Sequence, residues 1–414
     1  MKKFIGIICA AALLTGCTNY DEEHNISVPD PRSSSSSESE TETDETETTT
    51  TTTITQTTKT TTTVTTTAKA PEKTKEIDWK SEYKNILNQY LSGSVADGTV
   101  FQILEMTGDK TPELVVAEDY QKADIYTIVD NNVKKLEIRD ATIYYCSDID
   151  RMYVAKTGTP SQTDISKFEN GELKTEHTYI SDYSSKYNID GKDVTEQEYT
   201  SETALVTNGY MHYLHRGMPL NYNFVDYVFA EGTDWKKVYS NVLADFSKTA
   251  DSDMQEGFSL FDITGDGTPE LFVSEGFYHV AGCEIFTFDG GLKYIGSMGV
   301  YGSVTYDADK KQLLVGDGHM GYVYGQYLSL DANYMPHVEY SYSDDEGAYP
   351  PEEQSKAVYR INGMVVPADE YKKEMERLSA PTTRYGLGTD NELSAENASR
   401  VESGNYKQPQ EFNY

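Results

Sequence analysis

The chain has 414 residues and a formal net charge of −33, with 68 acidic side chains against 35 basic ones. That balance excludes nucleic acid as a partner, whose phosphates would be repelled, and it suits an exported protein that meets divalent cations. The length admits two domains and a linker, and 33 tyrosines against 2 tryptophans and 11 methionines point to β structure, where aromatic side chains pack on pleated surfaces.

The N-terminus reads as a targeting segment. Lys2 and Lys3 form a basic start, residues 4–14 an apolar run, and Leu14-Thr15-Gly16-Cys17 a small-residue cleavage site. The run is too short to span a bilayer as a mature helix. The segment resembles a bacterial lipoprotein signal, with Leu14-Thr15-Gly16-Cys17 matching the lipobox. The resemblance implies that residues 1–16 are removed and that Cys17 carries a lipid on the extracytoplasmic face of the membrane. An ordinary secretory signal is the alternative. Residues 17–76 then collapse to Ser, Thr and Glu, with unbroken runs at 33–37 and 48–53. Such a segment lacks the apolar surface to offset its ordering entropy, so it is expected to be a disordered stalk reaching about 45 Å.

A folded part starts near Asp78 and contains an internal duplication. Asp78-Trp79-Lys80 realigns with Asp234-Trp235-Lys236, and both tryptophans of the chain fall at matched positions. Ile125-Tyr126-Thr127 matches Ile285-Phe286-Thr287, and Tyr187-Asn188-Ile189-Asp190-Gly191 matches Tyr359-Arg360-Ile361-Asn362-Gly363. The landmarks keep their order. The expected fold is therefore α+β, in two tandem repeats over 77–200 and 234–378. Residues 201–233 connect them, partly as strand (210–214 and 224–229), and 379–414 form a polar tail that frays.

Each repeat is expected to open with an amphipathic helix, from Trp79, Tyr83, Ile86, Leu87, Tyr90 and Leu91, and from Trp235, Val238, Tyr239, Val242, Leu243 and Phe246. Asp234 is placed to cap the second. An antiparallel, propeller-blade-like meander follows, at 284–288, 292–295, 303–306, 312–315, 322–330 and 337–342 in the second repeat. Asp289-Gly290-Gly291, Asp317-Gly318 and Asp331-Ala332-Asn333 are its turns. A hairpin at Asp190-Gly191 or Asn362-Gly363 and a short helix close each repeat, the first with Thr195 and Glu198 at capping-box spacing and the second with Pro367 in its first turn.

The strongest chemical signal is Asp262-Ile263-Thr264-Gly265-Asp266-Gly267-Thr268-Pro269-Glu270-Leu271. Oxygen-bearing residues at alternate positions can turn toward one hard cation. Asp262, Thr264, Asp266 and Glu270 would offer side-chain oxygens and Thr268 its carbonyl, with Gly267 at the sharp turn. Val273 stands where an EF-hand carries its bidentate Glu, so this is not an EF-hand. The loop resembles the shorter Asp-x-Asn-Gly-Asp-Gly-x-x-Asp/Glu-Leu loop of FG-GAP or VCBS-type repeats of bacterial surface proteins. That resemblance implies two β-strands joined by a calcium site. A poorer copy has Glu105, Thr107, Asp109, Thr111 and Glu113, with Lys110 where the turn glycine belongs. The bland alternative is a hairpin whose acids merely face water.

Other motifs are weaker. His212-x-x-His215 sits in a strand-like run that points the two rings to opposite faces, with no third zinc ligand. Ser81-x-x-Lys84 with Lys156-Thr157-Gly158 mimics two penicillin-binding signatures, but no third motif holds its usual place. Cys146 and Cys283 occupy unmatched positions and read as buried thiols, with one bridge between them the alternative. No Gly-x-Ser-x-Gly elbow or phosphate loop occurs in the sequence. The tyrosines near 322–324 and 340–342 could form a sugar-stacking platform, although sheet packing explains most of them. These readings imply a lipid-anchored, non-enzymatic binding or adhesion module with a calcium-stabilised loop. Its partner would be polysaccharide, cell wall or a surface protein. A carboxylate-dependent polysaccharide or cell-wall hydrolase and a purely structural spacer are the alternatives.

Overall fold

A computed structural model describes residues 77–414 apart from 157, 159, 183–185, 251, 277–281, 300–302, 320 and 414. The expected signal, Cys17 and the stalk lie outside the described residues. The chain is α+β and mostly antiparallel sheet.

Helix α1 (Trp79–Ser92) leads into β1 (Val100–Leu104), β2 (Glu113–Asp119), β3 (Lys122–Val129) and β4 (Asn132–Ile138). Then follow β5 (Ala141–Cys146), β6 (Arg151–Lys156), β7 (Ser161–Glu169), β8 (Glu172–Ser181) and the hairpin β9 (Tyr187–Ile189) and β10 (Lys192–Val194). Next come α2 (Glu196–Val206), β11 (Met211–Tyr213), β12 (Met218–Pro219) and α3 (Tyr222–Val228). The remainder opens with α4 (Trp235–Phe246), β13 (Gly257–Phe261), β14 (Glu270–Ser274), β15 (Cys283–Phe288) and β16 (Leu292–Met298). It continues with β17 (Ser303–Asp307), β18 (Gln312–His319), β19 (Tyr322–Leu330), β20 (Pro336–Asp344), β21 (Tyr359–Ile361) and β22 (Met364–Val366). It ends with α5 (Ala368–Leu378), β23 (Thr383–Gly386), β24 (Asn391–Glu392), α6 (Ala395–Glu402) and β25 (Glu411–Asn413).

Four sheets result, with strand orders 12-1-2-3-4, 10-9-8-7-6-5-11, 16-15-14-13-24 and 22-21-20-19-18-17-23-25. Strand β2 shows why the layers stack. Leu114 and Val116 point to the helices, Val115 and Ala117 to the next sheet, and all four are buried. One core joins α1, α3, α4 and α6 to the inner faces of both five-stranded sheets through Tyr83, Phe101, Phe224, Tyr239, Phe258 and Val401. Removing one such ring, as in Phe258→Ala, would cost about 3–5 kcal/mol. The outer face of each five-stranded sheet packs on a larger sheet, Ile125 against Ile143 and Met152 in one case, Ile285 against Val304 and Leu313 in the other. Tyr199 of α2 is buried against Tyr144, Cys146, Tyr153, Tyr179 and Tyr187 of the seven-stranded sheet.

The opening helices match the sequence reading. Val238, Tyr239, Val242 and Leu243 are buried, and the Asp234 carboxylate accepts the Lys236 amide at 3.1 Å. The Thr195–Glu198 capping box is formed, while Pro367 sits one position earlier than expected, as the N-cap of α5. Asp190-Gly191 and Asn362-Gly363 both carry the positive φ of two-residue hairpins. Cys146 and Cys283 are buried free thiols.

Three expectations fail. Residues 222–228 are helix rather than strand, because the Asn221 side chain caps the Phe224 amide and Phe224 and Val225 are drawn into the core. Asp317 and Gly318 are not a turn but pair with Tyr324 and Val323. The segment beyond Leu378 does not fray: β23 pairs with β17, β24 with β13, and α6 buries Ala398 and Val401. Its few apolar residues are spaced to meet the core, so a polar composition concealed an ordered element.

Candidate functional site

The two acidic segments are the connections of the hairpins β1–β2 and β13–β14, closed by the pairs Leu104–Glu113 and Phe261–Glu270. In the second, the Asp262 carboxylate accepts the amides of Gly265 at 2.7 Å and Gly267 at 3.0 Å. Asp266 caps the Thr268 amide at 2.7 Å, and its other oxygen accepts the Tyr334 hydroxyl at 3.2 Å. Thr264 donates to Asp262 at 3.4 Å. Gly265 and Gly267 take φ of 79° and 91°. In the first connection Glu105 accepts the amides of Thr107 and Gly108, Asp109 caps Thr111, and Lys110 sits at φ 72°. Lys110 therefore carries a strain that Gly267 escapes in the second connection.

Glu270 does not join the rim. It is fully buried, with one oxygen accepting the Ile263 amide at 2.9 Å and the other the Thr287 hydroxyl at 3.1 Å. Glu113 does the same with the Met106 amide at 2.8 Å and the hydroxyls of Thr127 and Thr107 at 2.9 and 3.3 Å. Burial, reinforced by the neighbouring carboxylates, raises the pKa of Glu270 to about 7 and that of Glu113 to about 8. From the helices, Tyr239 donates to the Pro269 carbonyl at 3.0 Å and Tyr83 to that of Pro112 at 2.8 Å. Each loop is thus held from inside by a tyrosine, a glutamate and a threonine. The signal for this was in the matched triplets ending at Thr127 and Thr287, which supply the hydroxyls.

Of the five expected ligands, Asp262, Thr264 and Asp266 stand on the exposed side of the turn, the Thr268 amide donates to Asp266, and Glu270 is buried against the Ile263 amide. Among the described residues no group of three or more His, Cys, Asp or Glu is disposed to hold a metal ion. Asp262, Thr264 and Asp266 are thus the members of the expected set whose side chains face outward, whereas the Glu270 carboxyl faces the Ile263 amide and the Thr287 hydroxyl. His212 and His215 are separated as well. His212 bonds Gln102 at 2.6 Å, whereas His215 accepts the Ile143 amide at 3.0 Å and faces the Asp119 carbonyl. Burial lowers both imidazoles to about 4, so they are neutral core residues.

Beside the second loop lies a groove of about 380 Å³. Ile263, Thr264 and Asp266 form one wall, Tyr306, Leu313 and Leu328 the floor, and the turn from Ser329 to Tyr334 the other wall. Tyr334 holds φ 67°, a costly conformation for a bulky residue. Its amide donates to the Asp331 carbonyl, its hydroxyl to Asp266, and the Lys293 ammonium lies 5.0 Å from its ring centroid. The next residue, Met335, is buried among Leu104, Met106 and Tyr145 of the N-terminal half. The groove thus adjoins the seam between the halves.

A second polar cluster, unread in the sequence, lies in that seam. Arg216 donates to Glu284 at 2.8 Å and to Ser297, and lies 3.9 Å from Glu275, while Tyr294 donates to Glu284 at 2.6 Å. Burial together with the Glu284 charge raises the Glu275 pKa. No helix among the described residues is long and apolar enough to cross a membrane. No family model matches the chain, nor does any curated protein, so these local geometries carry the functional argument.

Proposed function

We propose that the protein is a cell-surface lipoprotein whose folded part is a non-enzymatic binding module made of two copies of one α+β unit. The observation that carries the binding reading is the groove. It is preformed, amphipathic, and walled by a loop that the protein fixes with its own buried Tyr239, Glu270 and Thr287. The strongly perturbed carboxylates Glu113 and Glu270 are fully buried and engaged by amides and hydroxyls, which assigns them to the fold and not to a substrate.

The duplication is supported by element order. A helix, a four-strand meander, a six-strand run ending in a hairpin, and a further helix occur from α1 to α2 and again from α4 to α5. Strands β11 and β12 add to the edges at β5 and β1 as β23 and β24 add at β17 and β13, with α3 and α6 following. On this reading the units span 77–233 and 234–414, and both segments taken as connection and tail are the closing parts of a unit.

Cys17 is the lipid anchor in this account, and residues 17–76 hold the module away from the membrane toward polysaccharide, cell wall or another surface protein. Replacement by Cys17→Ser is expected to move the protein from the membrane fraction to the medium; retention in the membrane contradicts the anchor. Calcium enters only as a ligand of the outer oxygens of Asp262, Thr264 and Asp266. Raising calcium from chelated to millimolar levels should raise the melting temperature, and Asp266→Asn, which keeps the cap on Thr268, should abolish the rise. An identical melt in calcium and chelator removes the ion from the account. The competing reading is a polysaccharide hydrolase, favoured by the paired carboxylates Glu275 and Glu284 on Arg216; turnover that is lost in Glu275→Gln would select it.

A further inference from the structure

We infer that the groove beside the second acidic loop is a saccharide subsite that takes an uncharged pyranose unit of an oligosaccharide. This rests on the binding-module reading and assigns it a place and a ligand class. The volume of about 380 Å³ suits about one or two sugar rings, at the small end of ligand pockets. A pyranose has an apolar C–H face and a rim of hydroxyl donors, and the lining is divided in the same way. Ile263, Leu330 and Tyr334, each part-exposed, give the apolar surface, over a base of buried Leu313, Leu328 and Tyr306. Asp266, Asp331, Thr264 and Ser329 give a rim rich in acceptors, with Lys311 as the one basic residue of the lining. Two carboxylates on that rim, on a chain of net charge −33, repel uronic acids, phosphates and acidic peptides.

Tyr334 supplies the aromatic wall. Its positive φ is a strain that the turn maintains through the Asp331 carboxylate, which accepts the amides of Asn333 and Met335, both at 2.8 Å. The result is a ring fixed over the acidic loop, pinned by Asp266 and Lys293. A ring held in this way loses no freedom when a ligand stacks on it.

The test uses the full chain in detergent, with cellotriose as the neutral probe, trigalacturonic acid as the anionic one and an unstructured acidic peptide as control. Saturation-transfer NMR and calorimetry should show saturable binding of cellotriose alone. Ala332 is exposed and lines the groove, so Ala332→Trp should fill it and weaken binding about tenfold or more with an unchanged melting temperature. Tyr334→Asn, which tolerates positive φ, should lose binding while the fold is kept. Absent cellotriose binding, equal binding by the Ala332→Trp variant, or preference for the anionic probe or the peptide overturns the assignment. Retention of the full chain on insoluble cell-wall material, measured in parallel, separates the two levels. Retention unaffected by Ala332→Trp sinks the groove alone, whereas no retention by the wild type sinks the binding module with it.

Discussion

A buried carboxylate must be satisfied by donors, and Glu270 has two, the Ile263 amide and the Thr287 hydroxyl. Glu270→Ala orphans both and should cost about 2–6 kcal/mol, taking each unpaired group at about 1–3. Glu270→Gln can still accept from Ile263 and donate to Thr287, so it should cost far less; equal losses in the two variants would show that volume and not pairing matters. The pKa values near 7 and 8 fix a pH dependence with a definite sign. A carboxyl whose pKa is raised by folding stabilises in its protonated form. That contribution is whole below the unfolded value, about 4.5, and is lost as pH rises through about 7 for Glu270 and about 8 for Glu113. The Glu113→Gln/Glu270→Gln double variant should therefore gain stability over wild type between pH 5 and 8 in urea titrations; a constant difference across that range contradicts the assignment. Lys110, strained at φ 72°, gives a third case: Lys110→Gly should stabilise by about 0.5–1 kcal/mol. The ligand pattern at alternate positions was legible in the sequence, but the inward turn of Glu270 was not. Period-two spacing states which residues carry oxygen; only the Phe261–Glu270 pairing puts the ninth residue inside the sheet edge.

Elements with strong periodicity were read correctly because their own sequence dictates them. Helix α4 places four buried residues on one face, and β19 spans the same residues, Tyr322–Leu330, as its alternation implied. Helix α3 was misread because Phe224, Val225, Tyr227 and Val228 are aromatic or β-branched, types that favour strands. Its helicity comes from the Asn221 cap and from burial against α4 and Phe246, which are tertiary causes. The seam is tertiary in the same sense: Arg216 and Glu284 are far apart in sequence, and no local pattern pairs them. Arg216→Ala should cost about 2–4 kcal/mol by leaving the partly buried Glu284 without its cation. The Arg216→Met/Glu284→Met pair should recover most of that loss in a double-mutant cycle; additive losses would mean that the two side chains act separately.

On the scale of the whole molecule, the proposed duplication would account for one helical core shared by both halves and for the order of two segments of bland composition. Strands β11 and β12 finish the sheets of the first half, and β23, β24 and β25 those of the second. Such closing strands are short, and their partners lie far away in sequence, so composition alone hides them. The same architecture leaves an amphipathic groove beside the second acidic loop, and it gives Glu113 and Glu270 a structural task. The account is therefore one of binding without turnover. Its most direct test incubates the full chain with insoluble cell-wall polysaccharide and reads retained protein and newly released reducing ends from the same samples. The expected result is saturable retention, reduced by Ala332→Trp, with reducing ends no higher than in protein-free controls. Reducing ends that accumulate with time and vanish in Glu275→Gln would contradict the account and make the seam carboxylates the centre of a hydrolase.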